Sequence, residues 1–488
     1  MTSWSFENTL AEQLEGFAVP WQAARAPAPD LLLYNDALAA QLGLPGRAAG
    51  EAQLAAWLSG AEEVPGSTPV ALAYAGHQFG QFNPQMGDGR ALLLGEVIAP
   101  DGARFDLQFK GSGKTPFSRG GDGKCGLGPA LREYLMSEAL AALSVPSTRS
   151  LAVVKTGEGV WRETPQHGAV LTRVAASHLR IGTFEFAAAH KGRTAVEQLT
   201  DYALARHYSA LTTARNRPLA LLEAVAEAQA VLVAKWMALG FVHGVMNTDN
   251  VTISGETIDY GPCAFLDAYA ADQVFSSIDK GGRYAFGQQP AVCQWNLYRL
   301  AAALIEAIAA VDEADTEAAR ALLDGFPGRY QQHWLAALRG KLGLSATAPD
   351  DLALAQDLFA QLEGQQADFT RLFRALAGSL TQGYDVVAAE LLQPERFAPW
   401  FACWQARLAM EPQDAAARAA AMDAANPLYI ARNHLVDAAL SAADMGDMAP
   451  FAELLALVSQ PYAAQPDRER YAHGAPAGSP RHVTFCGT

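Results

Sequence analysis

Cysteine is scarce in this chain. Cys125, Cys263, Cys293, Cys403 and Cys486 are the only thiols in 488 residues, and none forms a CxxC pair. That excludes a disulfide scaffold and fits reduced thiols in a cytoplasmic protein. Basic charge is also short. The 36 Lys and Arg stand against 51 Asp and Glu, a net charge of −15. Nucleic acid and anionic membrane are therefore not expected as partners, because both call for a basic surface, although a local basic site for phosphates remains open. Only 18% of residues are charged while 50% are apolar and 9% aromatic, which excludes disorder. Long hydrophobic runs are missing too. The most apolar stretch, residues 226–242, is broken by Glu227, Gln229 and Lys235 and is too short and polar to span a bilayer. The first residues, Met1-Thr-Ser-Trp-Ser-Phe-Glu7, carry neither a basic and apolar leader nor an Arg-rich transit pattern, so no targeting segment is expected.

What is present divides by texture. Length alone suggests about three domains at roughly 150 residues each. Residues 1–70 read as short helices broken by Pro and Gly, with loops at Pro27–Asp30 and 61–69. Ala91–Ile98 and Phe105–Phe109 read as strands joined by a turn at Pro100-Asp101-Gly102, and strand-like runs recur at Ser150–Lys155 and Val170–Ala175. A Gly-dense loop over 111–128 leads to Pro129, which suits the first turn of a helix reaching Leu143. Beyond about residue 195 the chain reads as helical. Leu219–Leu239 stops at Gly240, a C-cap residue, and Val251–Ser254 with Glu256–Asp259 read as a small hairpin around Gly255. The fold class expected is α+β, with a strand-rich lobe followed by a helical one.

Three motifs carry chemistry. Met86-Gly87-Asp88-Gly89-Arg90 precedes the first strand, and a Gly-x-Gly turn lets backbone N–H groups approach phosphates; a plain hairpin turn is the competing reading. Phe109-Lys110-Gly-Ser-Gly-Lys114-Thr115 resembles a Walker A loop, but Gln108 stands where that motif needs Gly and more Gly-rich loop follows Thr115 instead of a helix. Lys110 is better read as a strand-end lysine aimed at phosphate, with Glu133 on the following helix as its partner and Glu138 as the fallback. The third motif is His243-Gly244-Val245-Met246-Asn247-Thr248-Asp249-Asn250, followed by Asp259-Tyr260-Gly261. Asn250 falls five residues past Val245, the spacing at which kinase-like enzymes carry a metal-binding Asn after their catalytic Asp. Asn250 and Asp259 suit Mg²⁺, a hard cation that prefers oxygen ligands. Val245 replaces the usual catalytic Asp, and Asp249 is the nearest carboxylate able to substitute. His243 reads as a structural hydrogen-bonder.

These residues, together with Ala73–Arg90, Phe117–Gly123 and Leu131–Ala139, resemble the selenoprotein O (YdiU) family, from roughly residue 30 to Cys486. The resemblance implies a protein-kinase-like fold of two lobes. The divisions expected are an N-terminal extension (1–70), an N-lobe (71–190), a C-lobe (191–400) and a helical C-terminal region with tail (401–488). It implies transfer of AMP from ATP to Ser, Thr or Tyr hydroxyls of proteins, with release of pyrophosphate. Matched residue by residue, it assigns Gly87, Gly89, Arg90, Lys110, Asp122, Gly123, Arg173, Arg180 and Asp259 to ATP. Asn250 and Asp259 go to Mg²⁺ or Mn²⁺, Asp249 becomes the proton acceptor, and Glu133 the partner of Lys110. ATP inverted relative to kinases is also implied; Lys114, Arg119 and Lys124 in the Gly-rich loop, and Val245, are compatible with it.

From the residues alone, Arg173 and Arg180 read as surface ion pairs. A conventional kinase using Asp249 and a non-catalytic ATP-binding pseudokinase are the alternatives. Val245 weighs against the first, and the joint presence of Lys110, Glu133, Asn250 and Asp259 against the second. Cys486 matches the Cys version of the family's tail. Some relatives pair that thiol with a cysteine after the metal Asp, but Asp272–Asp279 has none. A monomer is expected.

Overall fold

Ala91–Ile98 holds too few polar residues for a strand with one wet face, and it is buried on both sides. Leu92 and Leu94 join Leu107, Phe109, Val154 and Val170 in one core, while Leu93, Val153 and Leu171 enter another. Period-2 alternation with apolar residues in both phases is the signature of a sheet covered on both faces. The computed structural model describes residues 4–162, 164–476 and 478–484. Its strands in chain order are β1 (Ala18–Pro20), β2 (Asp30–Tyr34), β3 (Val70–Leu72), β4 (Gly76–Gln78), β5 (Gln81–Asn83) and β6 (Ala91–Ile98). There follow β7 (Arg104–Lys110), β8 (Cys125–Gly126), β9 (Arg149–Trp161), β10 (Pro165–Ala175), β11 (Phe241–Val242) and β12 (Ala264–Phe265). Eight of them form an antiparallel sheet in the order β1-β3-β6-β7-β10-β9-β2, with β8 on β10.

The first 70 residues are more than short helices. Besides α1 (Thr9–Gln13), α2 (Asp36–Leu42) and α3 (Glu51–Leu58), they supply β1 and β2 at opposite ends of the sheet. Leu38, Leu54 and Leu58 then cover one face of the sheet. Helix α4 (Leu127–Ala142) covers the other through Leu131 and Leu135, with Pro129 in its first turn as expected.

That second core runs on without a break into the helical part. It takes in α5 (Ile181–His190), α6 (Arg193–His207), α7 (Arg217–Leu239) and α8 (Gln289–Val311), and nine further helices follow among the described residues. Gly240 ends α7 at φ 72°, its N–H donating back to the last turn, as its sequence position predicts. The architecture is the α+β, kinase-like arrangement expected: a strand-rich N-terminal part and a helical C-terminal part.

The hairpin expected at 251–259 does not form. Thr252 Oγ1 accepts from Glu256 N at 2.9 Å and donates to the Glu256 carbonyl at 2.7 Å, so a side chain closes the turn. The flanking residues make single bridges to other segments, Thr252 with Arg180 and Thr257 with Ser147. Cys486 lies outside the described residues. The chain just before it is tied down: Thr484 N donates to the Phe275 carbonyl at 2.8 Å, and Thr484 Oγ1 to that of Pro262 at 2.9 Å. Cys125, Cys263 and Cys293 are buried free thiols and Cys403 an exposed one. Among the described residues no helix is long and apolar enough to cross a membrane.

Candidate active site

Strand register places the first cluster. Lys110 pairs with Leu171, and Gln108 with Arg173, so three polar side chains share one face of neighbouring β7 and β10. Glu133 reaches them from the second turn of α4. Lys110 Nζ donates to Glu133 Oε2 at 2.5 Å and to Asp259 Oδ1 at 2.9 Å. Arg173 grips Glu133 Oε1 with Nε at 2.8 Å and Nη2 at 2.6 Å, and its Nη2 also donates to Asp259 Oδ1 at 2.7 Å. Lys110 therefore selects Glu133; the fallback, Glu138, is taken by Arg149 and Asn35. Arg173 and Arg180 are 2% and 3% exposed, which removes the surface-pair reading for both.

Burial alone would raise both carboxyls. At Glu133 the charges of Arg173 and Lys110 outweigh it and hold the group below the ordinary range. At Asp259 Lys110, Arg173 and Arg180 do the same more strongly. Both stay ionised at neutral pH. Asp259 sits at φ 65°, an uncommon conformation for a non-glycine residue, and its side chain keeps 26% of its surface open.

The Gly-x-Gly turn lies beside this cluster and is stitched in place. Asp88 Oδ2 accepts from Leu72 N at 3.2 Å and from Gln108 Nε2 at 3.0 Å. Thr115 Oγ1 donates to the Asp88 carbonyl at 2.6 Å and Ser118 Oγ to that of Gly89 at 2.5 Å. Gly87 has φ 139°, and a Cβ there would lie 2.4 Å from the Phe117 ring. Only glycine fits this close approach of the two loops. Asp122 and Gly123 lie in the same Gly-rich loop, but Arg162, near the tip of the β9–β10 hairpin, holds the Asp122 carboxylate with Nη1 at 2.9 Å and Nη2 at 3.0 Å. Lys124 pairs with Glu158 at 2.8 Å. Lys110, Lys124, Arg173 and Arg180 are thus cations answered by carboxylates.

Asp249 is different. It sits in a single 3₁₀ turn, Thr248–Asn250, 7% exposed. Its backbone carbonyl accepts from Arg180 Nη1 at 3.2 Å, but Oδ1 has no hydrogen-bond partner among the described residues. Burial pushes its carboxyl up to about 7, only partly opposed by Arg180. A carboxylate half-protonated near neutrality is poised to take a proton. Asn250 Nδ2 donates to the Val245 carbonyl at 3.0 Å, which leaves the amide oxygen as the free acceptor. His243 Nε2 meets the Ile258 carbonyl at 2.8 Å in full burial, a structural role as expected.

Comparison with known proteins gives this geometry a family. The model of the protein adenylyltransferase SelO family matches residues 1–459. The protein nucleotidyltransferase YdiU of Sphingopyxis alaskensis is 56% identical over 484 residues, covering 99% of each chain. Its counterparts in Cereibacter sphaeroides strain KD131 and Rhodococcus jostii are each 52% identical, over 99% and 94% of their own length. The chain belongs to the SelO family. It is accordingly an enzyme, a nucleotidyltransferase, and its substrate is a nucleotide.

In this SelO chain the donor set fits a magnesium nucleotide. No cluster of three or more His, Cys, Asp or Glu able to hold a metal occurs among the described residues, so an all-protein cage is not what is built. Mg²⁺ characteristically takes one or two side-chain oxygens and completes its shell with phosphate and water. Asp259 Oδ2, which makes no hydrogen bond among the described residues and lies 4.0 Å from Arg180 Nη1, and the Asn250 amide oxygen match that demand. Arg180 Nε is buried without a partner among the described residues. Sequence reasoning missed Asp88, Gln108 and Arg162. Gln108 was legible as the residue two before Lys110 on a strand; Arg162 carried no local signal, because its contact with Asp122 spans 40 residues.

Proposed function

We propose that the enzyme moves AMP from ATP to Ser, Thr or Tyr hydroxyls of proteins, with Asp249 as the proton acceptor. The observation that carries this reading is the buried, partnerless Asp249 Oδ1 with its raised pKa, one residue from Asn250, in a chain whose usual base position is Val245. In the step proposed, the acceptor oxygen attacks the α-phosphorus and its proton passes to the Asp249 carboxylate. A new P–O bond forms, the bond from the α-phosphorus to the bridging oxygen breaks, and pyrophosphate leaves with the electron pair.

Positioning and charge neutralisation dominate such chemistry. Gly87, Gly89 and Gly123 keep the two loops free of side chains where phosphate would approach the backbone, and Arg90, Lys110 and Arg180 would supply positive charge to the leaving pyrophosphate. Glu133 holds Lys110 in place. Arg173, with its Nε and Nη2 committed to Glu133 and Asp259, fixes both carboxylates, and Asp122, clamped by Arg162, sets the Gly-rich loop. Asn250 and Asp259 would hold Mg²⁺, or Mn²⁺ in its place; when bound, the metal supplies charge stabilisation to the phosphates. A product balance tests the reading: pyrophosphate released and AMP bound to protein in equal amounts support it, whereas ADP as the nucleotide product would overturn it.

A further inference from the structure

The side of Asp249 away from the Gly-x-Gly turn is walled by the short β4–β5 hairpin. A Cβ on Gly76 would lie 3.0 Å from Asp249 Oδ1. His77 N donates to Thr248 Oγ1 at 2.7 Å, and Phe79 N to Asn247 Oδ1 at 3.0 Å. The His77 ring is fixed by Glu185 at 2.5 Å, and that carboxylate's other oxygen accepts from Thr248 Oγ1 at 2.6 Å. The hairpin is therefore seated on the three residues that end at the proposed base. On its outer side Phe82 is 44% exposed and Gln81 is exposed as well.

Beyond His77 stands a cluster the chemistry has not used. The His77 ring meets Trp295 edge-on, with centroids 5.4 Å apart. Two guanidinium groups lie over that indole, Arg283 at 4.6 Å and Arg299 at 5.3 Å from the ring centroid. Arg283 also approaches Gly80 at the hairpin tip, where a Cβ would sit 3.6 Å from its guanidinium carbon. Its neighbour Tyr284 donates to Asn247 Oδ1 at 2.7 Å, which ties this segment to the same loop. Neither arginine pairs with a carboxylate among the described residues, and the buried Nε of each has no hydrogen-bond partner there. What sets this pair apart is that both guanidinium groups converge on one indole, a local concentration of positive charge in a chain of net charge −15 that suits an anion. Cation–π contact with Trp295 holds both guanidinium groups in place without a carboxylate.

We propose that Arg283, Arg299 and Trp295, with the rim of the β4–β5 hairpin, form the docking surface for the acceptor protein, and that it takes an acidic segment flanking the modified hydroxyl. This rests on the protein-acceptor reading above. The cluster is joined to Asp249 through His77 and Thr248, which sets it beside the loop that carries the proposed base. A carboxylate gripped by an arginine fork is a directional, charge-assisted contact, and Phe82 and Trp295 offer apolar area beside it.

The test uses random Glu/Tyr and Lys/Tyr copolymers as acceptors, with α-labelled ATP and the full chain. The wild-type enzyme should label the Glu/Tyr copolymer with a kcat/KM about tenfold or more above that for Lys/Tyr, and the preference should shrink as salt is raised. The double variant Arg283→Glu/Arg299→Glu should lose or invert it while ATP affinity is unchanged, and Arg299→Gln alone should weaken it part-way. Fluorescence anisotropy of a dye-labelled Glu/Tyr copolymer should follow the same order without any transfer chemistry. If the copolymer binds in that order but no AMP is transferred, the catalytic reading fails and the docking surface stands. No preference in the wild type, a preference that survives in both variants, or a parallel loss of ATP affinity would overturn the proposal.

Discussion

At the scale of single residues, the site turns on how burial is answered. Asp259 and Asp249 are both enclosed acids ten residues apart, yet their titration moves in opposite directions because one is met by Lys110 and Arg173 and the other is not. The unanswered carboxyl carries a pH signature. Asp249 serves as a base only when ionised, so kcat/KM should rise about tenfold per pH unit below about 7 and level off above it. Asp249→Asn should flatten that limb and slow transfer by about 10²–10⁴-fold, with ATP binding retained. A pH–rate profile with isothermal titration of ATP checks both, and equal loss of binding and turnover would remove Asp249 from the role. Arg173 is a stability residue as well. Arg173→Met leaves two buried carboxylates short of their guanidinium and should cost about 3–5 kcal/mol in urea unfolding; a change within about 0.5 kcal/mol, the usual range for surface substitutions, would contradict the network.

At the scale of elements, the Gly-rich loop depends on a hairpin distant in sequence. Arg162→Met should release Asp122 and the Lys124 carbonyl, raising KM for ATP several-fold while leaving kcat nearly unchanged, a split that steady-state kinetics resolves. This contact shows where sequence stops being informative. The glycine turn, the strand-end Lys110, the helix carrying Glu133 and the Asn250–Asp259 spacing were legible because each is local: a turn residue, a period of two, a first-turn proline, a fixed offset. The strands β1 and β2 were not, since runs of three and five residues become strands only by joining an existing sheet edge. The same holds for Arg162, and for the β4–β5 hairpin, which lies over the 247–249 turn only through long-range contacts. The misread hairpin at 251–259 failed for the converse reason. Its alternation was real, but Arg180 and Ser147 took the bridges that the two halves would have offered each other.

At the scale of the molecule, the proposed nucleotide site draws on both the sheet and the helical part. Lys110 and Arg173 come from strands, while Asp249, Asn250 and Asp259 come from the loop region that follows α7. A magnesium nucleotide that binds both sides should stabilise the fold by mass action, by about 2.7 kcal/mol at a hundredfold excess over Kd. Asp259→Ala should abolish transfer and remove the part of this thermal shift that depends on Mg²⁺; full activity in that variant would refute the metal assignment. The acidic balance of the whole surface is consistent with such a site, because Lys110 and Arg173 are held inside buried ion pairs.

The central claim, that AMP and not phosphate is passed to protein, is tested most directly with ATP labelled at either the α- or the γ-phosphate, incubated with the enzyme and a bacterial lysate. The account predicts label in protein from the α position and none from the γ position. Label from the γ position alone would contradict it, and no label from either, with ATP still bound, would leave a nucleotide-binding protein without this chemistry.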